Sequence, residues 1–123
     1  MGETTVAAFG LAAAAVVVVS TGVFLTRAGG PFSTVLLNVH KLVDLAAVIV
    51  LGVFISRAAR SGSLSGGQWM GIVLAGALFV ASLVTGGVVS AKDSAPRWVV
   101  WTHRVGSWAS GLAASWCAWL VLS

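Results

Sequence analysis

Two histidines, each followed at once by a basic residue, are the groups in this chain best suited to chemistry. The first lies in Asn38-Val39-His40-Lys41-Leu42-Val43-Asp44, the second in the pair His103-Arg104. Both interrupt apolar runs, where an ionisable side chain is costly and is a functional candidate by default. A neutral imidazole ligates metals, and two of them on facing helices suit the axial ligation of a haem. Cys117 stands alone, which leaves no disulfide framework and no Cys-x-x-Cys-His site for covalent haem. Met70 is the one methionine beyond the initiator; it falls at the start of the third apolar segment, on the opposite membrane side from the histidines, and is not expected to be an axial ligand.

The elements that must position these residues follow from composition. Of 123 residues, 59% are hydrophobic and 8% charged, with a mean hydropathy of +1.03, whereas a soluble domain carries about a quarter charged residues. That is the composition of a membrane protein. Four apolar segments, Thr4 to Thr26, Pro31 to Ser56, Gln68 to Ser90 and Arg97 to Leu122, are each near the ~20 residues that a spanning helix needs. A backbone in hydrocarbon satisfies its own hydrogen bonds, so the spans are expected to be helices. Short connections then predict an all-α fold: an integral membrane, antiparallel up-down four-helix bundle, one transmembrane domain over residues 1–123. The first segment opens on Glu3 with no basic n-region and ends without a clear small-x-small site, so it reads as a retained helix and not a signal peptide. The seven basic residues lie at helix ends and form no cluster of the kind that tracks nucleic acid; lipid headgroups suit them better.

A weak repeat links the two halves. Thr21-Gly22, Arg27, Pro31 and His40-Lys41 in the first hairpin match Thr85-Gly86, Lys92, Pro96 and His103-Arg104 in the second. The pattern predicts two similar hairpins about a pseudo-twofold along the membrane normal. His40 follows Pro31 by nine residues and His103 follows Pro96 by seven, which at about 1.5 Å of rise per residue puts both imidazoles ~10–14 Å into parallel helices.

At about 100° per residue, the face of the fourth segment around His103 carries Gly106, Ser107, Ser110, Ala114, Cys117 and Ala118. Trp98, Trp101, Trp108, Trp116 and Trp119 fall ~140–180° away. The small face is expected to point inward, and the tryptophans outward as interfacial belts, with Trp108 meeting lipid or another subunit. On the second segment Leu36, Asp44, Ala47 and Leu51 flank His40.

Two inward imidazoles at one depth suit a single non-covalent, bis-His haem b. Gly106 and Ser107 near His103, with Ser20, Thr21, Gly22 and Thr85, Gly86, Gly87 from the antiparallel segments, offer the small residues a flat porphyrin needs. Lys41 and Arg104 can snorkel towards the face that holds Arg27, Lys92 and Arg97 and meet the propionates there. Asp44, one turn beyond His40, is a candidate to orient that imidazole or to pair with Lys41.

This constellation resembles the small b-type cytochromes of membranes, on the strength of His40-Lys41, His103-Arg104, Gly22 and Gly86. The resemblance covers the four-helix plan of the whole chain. It implies a haem clamped by histidines of two helices, with glycines that let it approach the backbone. Many members use four histidines for two haems; two histidines limit this chain to one bis-His haem per monomer. The expected activity is electron transfer, from a membrane quinol or a partner protein, as a carrier or subunit and not a complete oxidoreductase, because the chain has no flavin or nicotinamide fingerprint.

Other readings compete with it. Either histidine alone reads more readily as a helix-helix hydrogen-bonding group than as a metal ligand. A small proton-coupled multidrug-type transporter would use Asp44 as its embedded acid, and a cofactor-free anchor or assembly subunit would dock, or oligomerise, through the tryptophan face. The positive-inside rule places the histidine end in the cytoplasm and both termini outside.

Overall fold

The structure is a computed structural model that describes residues 2–92 and 94–122. It contains four α-helices: α1 (Glu3–Ala28), α2 (Thr34–Arg60), α3 (Gly66–Ala91) and α4 (Arg97–Leu122). Each is 26 or 27 residues long, roughly 40 Å at 1.5 Å per residue, and so exceeds the ~30 Å hydrocarbon core of a bilayer. All four are long and apolar enough to cross a membrane.

The ends are set by local chemistry. Gly29 closes α1 at a φ of 67°, a backbone region that a side chain disfavours, and its N–H donates to the Leu25 carbonyl at 3.2 Å. Pro31 does not open α2, as its N-terminal preference predicts. Ser33 does, its Oγ accepting from the Leu36 N–H at 3.4 Å, because proline offers no side-chain acceptor for the orphan amides of a first turn. Before α3, Ser65 and Gln68 form a reciprocal capping box: the Gln68 N–H donates to Ser65 Oγ at 3.3 Å and the Ser65 N–H to Gln68 Oε1 at 2.7 Å. At α4 the Pro96 carbonyl accepts from the N–H groups of Val99 and Val100.

The chain divides at Ser63/Leu64 into two compact units. In the first, α1 and α2 form an antiparallel hairpin. Glu3 at the start of α1 pairs with Arg57 near the end of α2, and Gly22 near the end of α1 meets His40 near the start of α2. In the second, α3 and α4 are antiparallel by the same logic, with Gly86 against His103 at one end and Gly71 against Trp116 at the other. Between those two contacts Gly106 lies on α3: a Cβ built on it would stand 3.2 Å from Ser82 Oγ. Trp116, expected on the outward belt, keeps half of its surface exposed but rests its ring on Gly71.

Buried side chains are few: Leu25, Leu51, Val99 and Cys117, with the polar Thr21 and Ser82. Most of the large apolar side chains stand exposed, among them Phe9, Phe24, Val35, Leu112 and Trp98. A water-soluble monomer rarely exposes so continuous an apolar surface. Hydrocarbon imposes no such limit.

Candidate functional site: two histidine seats

The positions of His40 and His103 are each fixed by the helix that precedes their own in the chain. In the first hairpin His40 Nδ1 lies 3.0 Å from the main-chain oxygen of Val18 and 3.0 Å from Thr21 Oγ1. In the second, His103 Nδ1 lies 3.0 Å from the main-chain oxygen of Ser82 and 3.3 Å from Thr85 Oγ1. The carbonyl comes from the residue three before the threonine in both hairpins.

The threonines are set for this by their own hydrogen bonds. Thr21 Oγ1 donates to the Val17 carbonyl at 2.7 Å, and Thr85 Oγ1 to the Ala81 carbonyl at 2.8 Å. With its single proton committed to the backbone four residues back, each hydroxyl turns a lone pair towards the imidazole. Neither a carbonyl oxygen nor that lone pair can donate, so Nδ1 must be the donor in both rings. A neutral ring that donates from Nδ1 carries its lone pair on Nε2, the form in which histidine ligates metals, and a carbonyl at the other nitrogen is a usual partner of a metal-bound imidazole.

One residue after each threonine, a glycine makes room for the ring. A Cβ on Gly22 would stand 3.2 Å from His40 Cε1, and one on Gly86 would stand 2.7 Å from His103 Cε1. The second seat is the tighter, since its contact falls below any separation that real Cβ atoms keep.

Comparison with protein-family models, curated proteins and solved structures gives no match.

The other candidate residues take varied places. Gly106 lies one turn beyond His103 and is half-buried against Ser82; Ser107, expected beside it on the small face, is exposed. The buried line of α4 runs through Val99, Gly106 and Cys117, and Ser107 is rotated about 80° from its centre. Lys41 and Arg104 are exposed, each directly after its histidine, and Asp44 is half-buried. The orienting role considered for Asp44 is filled at His40 Nδ1 by Val18 and Thr21 of α1.

Two positions of these seats, Val18 and Ser82, are invisible to a reading by residue type, because they meet the imidazoles through main-chain oxygens. Their one trace in the sequence is the constant spacing back from Thr21-Gly22 and Thr85-Gly86.

Proposed function

We propose that this chain is an integral membrane b-type cytochrome in which His40 and His103 are the axial ligands of one non-covalent haem and through which electrons pass. The observation that carries the reading is the duplicated seat: two imidazoles, each with Nδ1 held by a carbonyl and a threonine hydroxyl and each laid on a glycine. A helix-helix hydrogen bond needs one such contact. Orientation of both rings in the same tautomer, by the same three-part device, is what a pair of equivalent metal ligands requires.

The residues present fit the group. A porphyrin brings four nitrogens of its own, so two histidines complete the coordination and no third side chain is needed. The haem iron, when bound, supplies a reversible one-electron couple. His40 and His103 offer Nε2 as ligands, and Thr21, Thr85 and the two carbonyls hold them in that form. Lys41 and Arg104 place positive charge next to each ligand for the propionates. A low-dielectric surround of apolar helices would limit water at a bound haem. Quinol or a membrane redox protein is the expected donor, and a cytoplasmic side for the histidine end is what the positive-inside rule would favour from its basic residues.

The test is the absorption spectrum of the purified full chain. A bis-His, low-spin haem spectrum at one haem per chain is expected, and it should be lost in both His40→Ala and His103→Ala. A colourless protein from haem-replete cells, or a spectrum unchanged in either variant, would sink the reading.

A further inference from the structure

We infer that Ser82 and Gly106 are a positioning pair for His103, whose small size lets α3 and α4 approach closely enough to seat that ring more tightly than the ring of His40. The contact exists without haem; only the naming of His103 as a ligand rests on the function proposed above.

Ser82 is 8% exposed, and its buried Oγ has no hydrogen-bond partner among the described residues. A buried hydroxyl left unpaired is a cost, so hydrogen bonding by the side chain does not account for this position. Size does. Oγ faces Gly106, one turn beyond His103, where a Cβ would stand only 3.2 Å away. Small residues at a helix-helix contact let two backbones come together. The main-chain oxygen of the same Ser82 lies 3.0 Å from His103 Nδ1, so the helix spacing at Ser82 also governs where the ring lies.

The first hairpin carries larger residues at the matching places. Three before Thr21 and three after His40 stand Val18 and Val43, both half-buried, where the second hairpin has Ser82 and Gly106. The carbonyl-to-imidazole separation is 3.0 Å in each hairpin, so the larger pair does not prevent that contact. The fit of ring to glycine is what differs. A Cβ on Gly86 would stand 2.7 Å from His103 Cε1 and 3.1 Å from Nδ1, against 3.2 Å and 3.7 Å for Gly22 and His40. The threonine contact runs the other way, 3.3 Å against 3.0 Å. The closeness of the second seat is therefore one of ring to backbone, which helix spacing controls.

The experiment exchanges the pairs in the haem-free full chain in detergent and reads thermal unfolding together with nitrogen-15 relaxation of the two imidazoles. In wild type the His103 ring should be the less mobile. Ser82→Val combined with Gly106→Val should raise its exchange broadening to that of His40, leave the His40 signal unmoved, and make Gly86→Ala as mild as Gly22→Ala. The reverse exchange, Val18→Ser with Val43→Gly, should make Gly22→Ala the more damaging. Ser82→Ala keeps the small size and the carbonyl and should retain the wild-type His103 signature. Gly106→Ala, a smaller insertion, should shift the His103 signal in the same direction as the valine pair and serves where that pair does not fold.

Equal mobility of the two rings in wild type, an unmoved His103 signal in the valine pair and in Gly106→Ala, or equal broadening of both rings would overturn the inference. Loss of the signature in Ser82→Ala would do so too, by assigning the role to the hydroxyl. A protein that follows the expected pattern but takes up no haem would support the positioning pair and remove only the cytochrome reading.

Discussion

His103 Nδ1 stands 3.0 Å from the main-chain oxygen of Ser82, a residue of the helix packed against its own. The partner is a backbone atom whose position is fixed by the hydrogen-bonded ladder of α3, so it holds the ring more rigidly than a mobile side chain could. The same 3.0 Å separation joins His40 to Val18. Both seats therefore resist loss of a single side chain, and this shapes what substitution should do.

Removal of the threonine hydroxyl should weaken haem retention without abolishing it. In Thr21→Val and Thr85→Val the carbonyl remains as acceptor, so the loss should be at most about tenfold, the lower end for such partners of a metal ligand. Thr→Ser should restore retention, because the hydroxyl is kept. Haem transfer to a scavenging apoprotein measures the rate; no change in either valine variant would remove the threonines from the site.

The two glycine contacts differ in tightness and should differ in consequence. Gly86→Ala puts a methyl 2.7 Å from His103 Cε1, while Gly22→Ala puts one at 3.2 Å from His40 Cε1. Overpacking of this kind costs about 1–3 kcal/mol, and Gly86→Ala should be the more destabilising and the more disruptive to the spectrum. Gly87→Ala, with nothing within 4 Å, is the control. Thermal unfolding in detergent decides the order, and a larger effect at Gly22 or Gly87 would contradict the packing described.

At the far end of the second hairpin, Gly71→Ala would drive a methyl into the Trp116 ring at Cζ3. It should destabilise by about 1–3 kcal/mol, and most of that loss should vanish in the background of Trp116→Leu, since neighbours in contact are not additive. Strict additivity in the double-mutant cycle would show that the indole does not lie on Gly71.

The Glu3–Arg57 pair should matter little to stability. Both side chains are more than half exposed, and exposed pairs contribute about 0–1 kcal/mol. Glu3→Gln should shift the unfolding midpoint only slightly, and less so in high salt. A large, salt-insensitive loss would place the pair in a drier setting than its exposure indicates.

How much of this was legible in the sequence differs by feature. The four helices were, because length and hydropathy suffice to mark a span, and their ends fell within a few residues of those expected. Pro31 misled by three residues: proline tolerates a helix start, but the hydroxyl of Ser33 captures an orphan amide. Trp116 was read from a wheel, which gives a direction and not a neighbour. It took the opposing Gly71 to let a ring that points away from the small face lie down on α3.

For the candidate site, residue types alone determined that His40 and His103 are the chemical groups to watch, that Gly22 and Gly86 accompany them, and that the two halves repeat. A charged or ligating side chain in an apolar run is conspicuous whatever surrounds it. Only the tertiary structure decided which nitrogen of each ring is the donor and what it meets. Those partners are the carbonyls of Val18 and Ser82, and every residue has a carbonyl. No residue type marks one out until two helices pack and bring it within 3.0 Å of an imidazole.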